Sequence, residues 1–355
     1  MSLTGGVLFV RSTTWIPAPM AYRFKLDEPV GKGFKRIARD QIEQALAALG
    51  PAEIAPAGVH ESRKALKRLR ALIRLAAPAI GAKAARQHNV WLRDAGRLLS
   101  QQRDEAVTRE TLTKLEAVGG PEVVTALVPL RTVLDAAPPA GSAVLDTATA
   151  EHARASLAKE AKRLQKTKFK GRGFAALEKG LEVSYRAGRN ALAKAYNEPT
   201  DEAFHELRKT VQWHWRQMSL LSRAWPEVFL IRIAAARELS QILGDDHDLA
   251  MLEHAAARYG TIEAAALDKI RHHFHERQAG LREAARARAE RLFAEPPRLF
   301  VRRMAAYWEA GGRIKPWPEL QAAPEKAAAT GAVAVASAPR LAAKTTGDAP
   351  SQRRA

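Results

Sequence analysis

The sequence predicts an all-α fold with two similar helical bundles and a disordered C-terminal tail. Ala, Leu, Arg, Lys, Glu and Gln dominate the 355-residue chain, and apolar residues recur every three to four positions over long segments. A five-residue motif and a longer segment downstream of it each occur twice at almost the same separation. Residues 321–355 are rich in Ala, Pro, Lys and Thr and contain no aromatic residue, so they are predicted to form a disordered, mildly basic tail.

Charge and cysteine content restrict the class of protein. The chain has 57 Lys and Arg against 38 Asp and Glu, a formal net charge of +19. Its surface therefore attracts polyanions, among them nucleic acid, anionic membranes and phosphate polymers. The sequence has no cysteine, which excludes disulfides, thiolate metal sites and cysteine nucleophiles and fits a reducing cytoplasm.

The N-terminal segment has an apolar run, Val7 to Val10, that ends at Arg11. This run is too short for a signal peptide or a membrane span, so we expect a cytoplasmic protein that does not insert into membranes. Met20 is a plausible start of translation. We therefore predict an N-terminal extension at 1–20, and our hypothesis is that residues 1–19 precede the native start.

Clusters of Gly and Pro divide the helical pattern into separate segments. The most prominent clusters are GPAEIAPAG at 50–58 and AAPPAGSA at 136–143. Between the clusters, the pattern predicts helices near residues 34–49, 60–77, 84–100, 104–117, 121–136, 149–167, 174–196, 201–223, 227–243, 248–258, 261–294 and 297–310.

An internal repeat organises these helices. The pentads HESRK (60–64) and HELRK (205–209) share four residues and lie 145 positions apart. Downstream, WLRDAGRLLSQQRDEAV (91–107) aligns with AARELSQILGDDHDLAM (235–251) at a separation of 144. Two matches at nearly one separation predict two similar bundles, joined in the Pro-rich stretch at 136–143.

The first pentad opens a helix with a basic face. On a helical wheel at about 100° per residue, six side chains fall within an arc of about 120°, and leucines and an isoleucine occupy the opposite face. The basic stripe consists of His60, Arg63, Lys64, Lys67, Arg70 and Arg74.

The second copy has a weaker stripe, because Gln212 takes the position of Lys67. Its members are His205, Arg208, Lys209 and Arg216, together with Trp215.

Like charges at these spacings repel one another, so such a face is stabilised when it meets a polyanion. An ordinary solvated face is the alternative for a single basic helix. Its repetition favours a binding function, because packing gives no reason to keep His, Arg and Lys on the exposed side of both copies.

Other polar residues invite further interpretations. His60 and His205 are expected to donate hydrogen bonds to a ligand anion or to brace the neighbouring arginines. Five other histidines are expected at the surface without a metal: His247, His254, His272, His273 and His275. Asp104 and Asp248 are interpreted as helix N-caps or as partners of a buried arginine. Two further basic candidates, three positions apart on one helix face, are Arg186 and Arg189.

These features together resemble the CHAD domain family. The resemblance rests on the paired helices, the RD and HD motifs after them, YRAGR before the second copy and the opening FKLDEPVGKGFKRIARDQI. It covers about 21–310, with half one at about 21–140 and half two at about 141–310. It implies two four-helix bundles related by a pseudo-twofold axis, whose basic faces line a central groove that binds inorganic polyphosphate. The residues implied to bind it are His60, Arg63, Lys64, Lys67, Arg70 and Arg74 on one side and His205, Arg208, Lys209 and Arg216 on the other, with Arg186 and Arg189 close by.

The sequence departs from the family pattern in two ways. Gln212 stands where the family tends to have a cation, and the chain lacks the Glu-x-Glu-x-Lys strand of the triphosphatase domain that is often fused to members. We therefore expect a protein that binds polyphosphate without hydrolysing it and without a cofactor, and that associates with polyphosphate granules. The alternative is a nucleic-acid-binding protein that uses the basic faces and the tail, although Trp215 is the only tryptophan on a stripe.

Overall fold

The computed structural model describes residues 22–50, 56–99, 104–136, 147–258 and 262–314, which form eleven α-helices and no β-strand within these ranges. The predicted all-α class is confirmed. The predicted extension at 1–20 and the predicted tail at 321–355 lie outside the described residues. The helices are α1 Val30–Leu49, α2 Pro56–Ile80, α3 Ala82–Leu98, α4 Asp104–Val118, α5 Pro121–Ala136, α6 Thr147–Lys166, α7 Ala175–Asn197, α8 Asp201–Leu221, α9 Pro226–Arg258, α10 Ala264–Leu292 and α11 Pro297–Arg313.

One predicted break is wrong. The segments 227–243 and 248–258 form the single helix α9. The helix tolerates Gly244 because its missing side chain leaves room for a neighbour: a Cβ there would lie 3.3 Å from Nη2 of Arg208. Asp248 therefore lies inside a helix, and its interpretation as an N-cap is wrong. Asp104 is the first residue of α4, and its side chain is outside the described part.

The start of α8 shows how the sequence fixes a helix that carries a basic stripe. The hydroxyl of Thr200 accepts a hydrogen bond from the backbone N–H of Ala203 at 3.2 Å, which satisfies one of the free donors in the first turn. Asp201 and Glu202 add negative charge at the positive end of the helix. These signals place His205 in the second turn of α8.

The larger hydrophobic core joins α1, α2, α3, α6, α7, α8 and α11 to parts of α9 and α10. The predicted apolar face of α2 is buried there, with Leu69 and Leu72 fully inaccessible to solvent. Helix α7 approaches α2 so closely at Gly180 that a Cβ there would collide with the carbonyl oxygen of Leu75. This crossing brings α2 into the middle of the core, between α1, α3, α7 and α8.

A smaller core joins helices that are distant in sequence. Leu112 of α4 and Leu127 of α5 pack with Leu252 of α9 and Phe274 of α10. Helix α6, which follows α5 in the chain, packs against α1 and α3 instead. Within the described ranges, no helix combines the length and the apolar character that a membrane span requires.

Candidate functional site

Helices α2 and α8 carry the two predicted stripes, and the structure packs them against each other. The guanidinium of Arg74 lies over the ring of Trp213, 3.5 Å from its centroid. Arg68 precedes Arg74 by six residues in α2, and Arg216 follows Trp213 by three residues in α8. These two arginines are also electrostatic neighbours. Residue numbers therefore rise along one helix as they fall along the other, so α2 and α8 run antiparallel and their stripes meet.

The centre of this contact contains a group of four arginines from three helices, which we call the arginine cluster: Arg68 of α2, Arg208 and Arg216 of α8 and Arg237 of α9. Arg216 is only 7% exposed. Its Nη1 donates a hydrogen bond to the carbonyl oxygen of Gln212 at 2.8 Å, whereas its Nε is buried without a hydrogen-bond partner in the described part of the chain.

The pKa of Arg216 is lowered to about 9, mainly by burial, and the charges of the other three cluster arginines act in the same direction. Tyr22 acts in the opposite direction but supplies no permanent counter-charge. Burial raises the pKa of its phenol, and its hydroxyl donates a hydrogen bond to the carbonyl oxygen of Arg68 at 2.7 Å. Arg216 is therefore positively charged and poorly solvated at neutral pH, at the centre of a cluster whose other three arginines are more accessible.

Arg70 and Arg74 extend the positive charge along α2. The pKa of Arg74 is lowered to about 10, mainly by burial; Arg70 acts in the same direction, and Glu206 acts against it. The pKa of Arg70 is lowered by burial and then by Arg93 and Arg97 of α3. The Nε of Arg70 is buried without a hydrogen-bond partner among the described residues. The positive charge thus continues from the arginine cluster toward α3.

The two pentad histidines have different surroundings. His205 packs against His247 of α9, with ring centroids 4.3 Å apart. Burial lowers the pKa of both imidazoles, and the neighbouring Arg208 acts in the same direction; the pKa of His247 falls to about 4. Both rings are therefore neutral at pH 7, and His247 is a half-buried partner of His205 rather than the surface residue that we expected. His60 is half-buried in the first copy.

Several predicted residues make local contacts. Lys64 pairs with Glu61 at 2.7 Å, and Lys209 pairs with Glu206 in the same way on α8. Nη1 of Arg63 donates to the carbonyl oxygen of Leu99 at 3.4 Å. Lys67 is exposed on α2. These side chains lie on α2 and α8, the helices that carry three of the four cluster arginines.

The structure does not bring Arg186 and Arg189 to this site. Arg186 pairs with Glu182 on its own helix, and Nη1 of Arg189 donates to the carbonyl oxygens of residues 293–295 at 2.6–2.9 Å. Since Gly180 faces α2, a rotation of about 100° per residue places both arginines on the far side of α7. Arg189 instead satisfies carbonyl groups after the end of α10.

Sequence reasoning missed Arg68, Arg237 and Trp213. Arg68 lies about 80° from His60 on the helical wheel, just outside the predicted arc. Arg237 aligns with Arg93 in the repeated segment, and each is an electrostatic neighbour of a stripe arginine: Arg93 of Arg70, and Arg237 of Arg216. This alignment is the signal that could have identified Arg237.

The fold and these contacts define an all-helical protein with a cationic cluster around one buried arginine. A sequence model of the CHAD domain matches residues 36–257, which is more than half of the chain. The chain therefore belongs to the CHAD domain family, which is often linked to polyphosphate binding. A search of curated proteins found no match. The described residues include no group of three or more His, Asp or Glu side chains that could hold a metal ion.

Proposed function

We propose that this protein binds inorganic polyphosphate along the contact between α2 and α8 and does not turn it over. The observation that carries the proposal is the burial of Arg216, which makes no ion pair with any described residue. A buried, unpaired cation costs several kcal/mol, because the charge loses its hydration. A bound anion would supply the missing counter-charge.

The arrangement favours a linear polyanion over a single anion. The α2 stripe extends over 14 residues from His60 to Arg74, about 20 Å at a rise of 1.5 Å per residue. Inorganic polyphosphate presents a charge at each successive phosphate along such a path. Guanidinium groups donate paired hydrogen bonds to phosphate oxygens, which makes arginine well suited to line it.

The second stripe approaches the same path from α8. Two antiparallel stripes can contact the polymer from both sides, so the number of phosphates neutralised grows with chain length. Their equivalence in the repeat supports an arrangement of two four-helix bundles related by a pseudo-twofold axis, with halves near 21–140 and 141–310, as the family resemblance implies. We also propose that the protein is cytoplasmic and associates with polyphosphate granules.

Nucleic acid is the competing ligand, and the tryptophans argue against it. The Trp215 ring already carries Arg216 and Arg237, at 4.1 Å and 5.1 Å from its centroid, and Trp213 carries Arg74. Single-stranded nucleic acid binds through aromatic rings on which bases stack. Guanidinium groups that already cover these rings leave less surface for a base.

Competition binding at physiological ionic strength tests the identity of the ligand. A fluorescently labelled long-chain polyphosphate would be displaced by unlabelled polyphosphate, single-stranded DNA, duplex DNA or pyrophosphate. The proposal predicts that unlabelled polyphosphate competes at least about tenfold better, per phosphate, than any of the others. Equal or stronger competition by either DNA would assign the site to nucleic acid.

A further inference from the structure

A second strongly basic site lies on the described part of the chain, away from the α2–α8 contact. A pocket of about 660 Å³ opens between the start of α1, the end of α6 and the loop that leads to α7. Its size falls within the range of about 300–1,000 Å³ that small-molecule sites occupy. None of its lining residues belongs to the arginine cluster or to the two stripes.

The charges around this pocket have one sign. Lys32, Lys35, Lys166, Lys168 and Arg172 line it, and no acidic side chain does. None of these five cations forms an ion pair or a side-chain hydrogen bond with another described residue. The pocket between α7 and α11 differs, because Glu178 and Glu182 accompany its basic residues. Five unpaired cations around one cavity repel one another, and a bound anion would relieve that repulsion.

The walls of the pocket are held in place by contacts that do not involve the charged groups of the five cations. The Phe169 ring packs against Phe34, with centroids 5.5 Å apart. The backbone N–H of Lys170 donates to the carbonyl oxygen of Ala79 at 2.8 Å, and Nε2 of Gln165 donates to the carbonyl oxygen of Lys35 at 3.0 Å. The loop is thus anchored to α1 and α2, and the pocket exists before a ligand arrives.

We infer that this pocket binds a small molecule that carries a triphosphate group. Three linked phosphates match five cations around one open pocket better than a single phosphate does, because each phosphate can contact its own lysine or arginine. Two sources share this chemistry: a nucleoside triphosphate and free tripolyphosphate. Phe169, Pro29 and Val30 add apolar surface to the lining, which a nucleoside could cover. The inference is independent of the proposed function, since the two sites share no residue.

Isothermal titration calorimetry of the full chain with ATP, tripolyphosphate and AMP tests the inference. All proteins would carry Arg68→Gln and Arg237→Gln, which weaken binding at the arginine cluster. The pocket variant adds Lys166→Ala, Lys168→Ala and Arg172→Ala. The matched control adds Lys159→Ala, Lys162→Ala and Lys170→Ala, which remove the same charge from α6 and the same loop but do not line the pocket.

We expect the pocket variant to bind ATP or tripolyphosphate at least about tenfold more weakly than the background protein, and the control to change affinity by less than about twofold. Tighter binding of ATP than of tripolyphosphate would identify a nucleotide site, and equal binding would identify a site for the triphosphate group alone. Equal losses in both variants, AMP binding as tight as that of ATP, or no binding at all would overturn the inference.

Discussion

Arg74 of α2 lies flat over the indole of Trp213 of α8, with its guanidinium carbon 3.5 Å from the ring centroid. This cation–π contact uses the face of the guanidinium and leaves the N–H groups at its edge available to a ligand. It also offsets part of the cost of burial that lowers the pKa of Arg74 to about 10. The tryptophan thus holds a cation in a desolvated position at the junction of the two stripes.

Trp213→Leu is therefore expected to weaken polyphosphate binding without removing a charge. The loss of a partly buried cation–π contact of about 1 kcal/mol corresponds to an affinity lower by about fivefold. Fluorescence anisotropy with labelled polyphosphate would measure it. Trp225→Leu is the control, because Trp225 is exposed and its ring contacts Tyr307 rather than a cation. Equal effects of the two substitutions would contradict the role of Trp213.

Arg216→Met should separate stability from binding. Methionine has a similar length and carries no charge, so the protein without ligand is expected to gain about 1 kcal/mol in its free energy of unfolding, as buried charges often allow when they are replaced by apolar groups. Thermal denaturation should then show a higher Tm without polyphosphate and a smaller rise in Tm on its addition. Arg302→Met, at an exposed position of α11, is the control. A lower Tm without ligand would show that Arg216 is satisfied by the protein itself.

The closely packed His205–His247 pair predicts a loss of stability in mild acid. The folded-state pKa of His247 is about 4, below the usual 6.5, because burial disfavours its charged form. The unfolded chain therefore binds more protons as the pH falls below 6.5, so the stability present above pH 6.5 declines progressively down to about pH 4. His205 acts in the same direction.

Urea denaturation of the wild type and of His247→Gln at pH 7 and pH 5 would measure this effect. The substitution should reduce the difference in unfolding free energy between the two pH values. His254→Gln, at an exposed position of the same helix, should leave that difference unchanged. An unchanged difference in His247→Gln would show that other groups cause the acid sensitivity.

Gly180→Ala should destabilise the fold by about 2 kcal/mol or more, because the new methyl group collides with the carbonyl oxygen of Leu75 and pushes α7 away from α2. Gly280→Ala is the matched control in α10, where a methyl group meets open space. That change should stabilise the helix by about 0.5–1 kcal/mol. Chemical denaturation that shows the same sign for both would contradict the close crossing of α2 and α7.

The helices were predictable because their apolar period is regular, but contacts between helices were not. The sequence pattern predicted a break between residues 243 and 248, whereas in the structure Gly244 lies inside a continuous helix, next to Arg208. The class of fold and the family could be read from local pattern and repetition. The packing of α4 and α5 against α9 and α10 could not be predicted, because a local sequence pattern does not identify which distant helix a segment contacts.

The sequence predicted which side chains of the candidate site share a face of one helix, but it did not predict the contacts between helices. The helical wheel of α2 identified Arg70 and Arg74. Arg68 belongs to the site because it is an electrostatic neighbour of Arg216 on another helix, and the wheel of one helix cannot show such a contact. The error at Arg189 has the same origin. Its spacing from Arg186 gives a shared face, whereas its function depends on the carbonyl of Phe293, 104 residues away.

The salt dependence of polyphosphate affinity measures directly how many phosphates the cluster neutralises. By analogy with nucleic acid, each neutralised phosphate contributes slightly less than one unit to the slope of log affinity against log salt. Removing two cluster cations with Arg68→Gln and Arg237→Gln should lower this slope by about two and weaken binding at least about tenfold. Arg298→Gln with Arg302→Gln on α11 should leave both unchanged. Equal slopes and affinities in the two double variants would show that polyphosphate binds elsewhere.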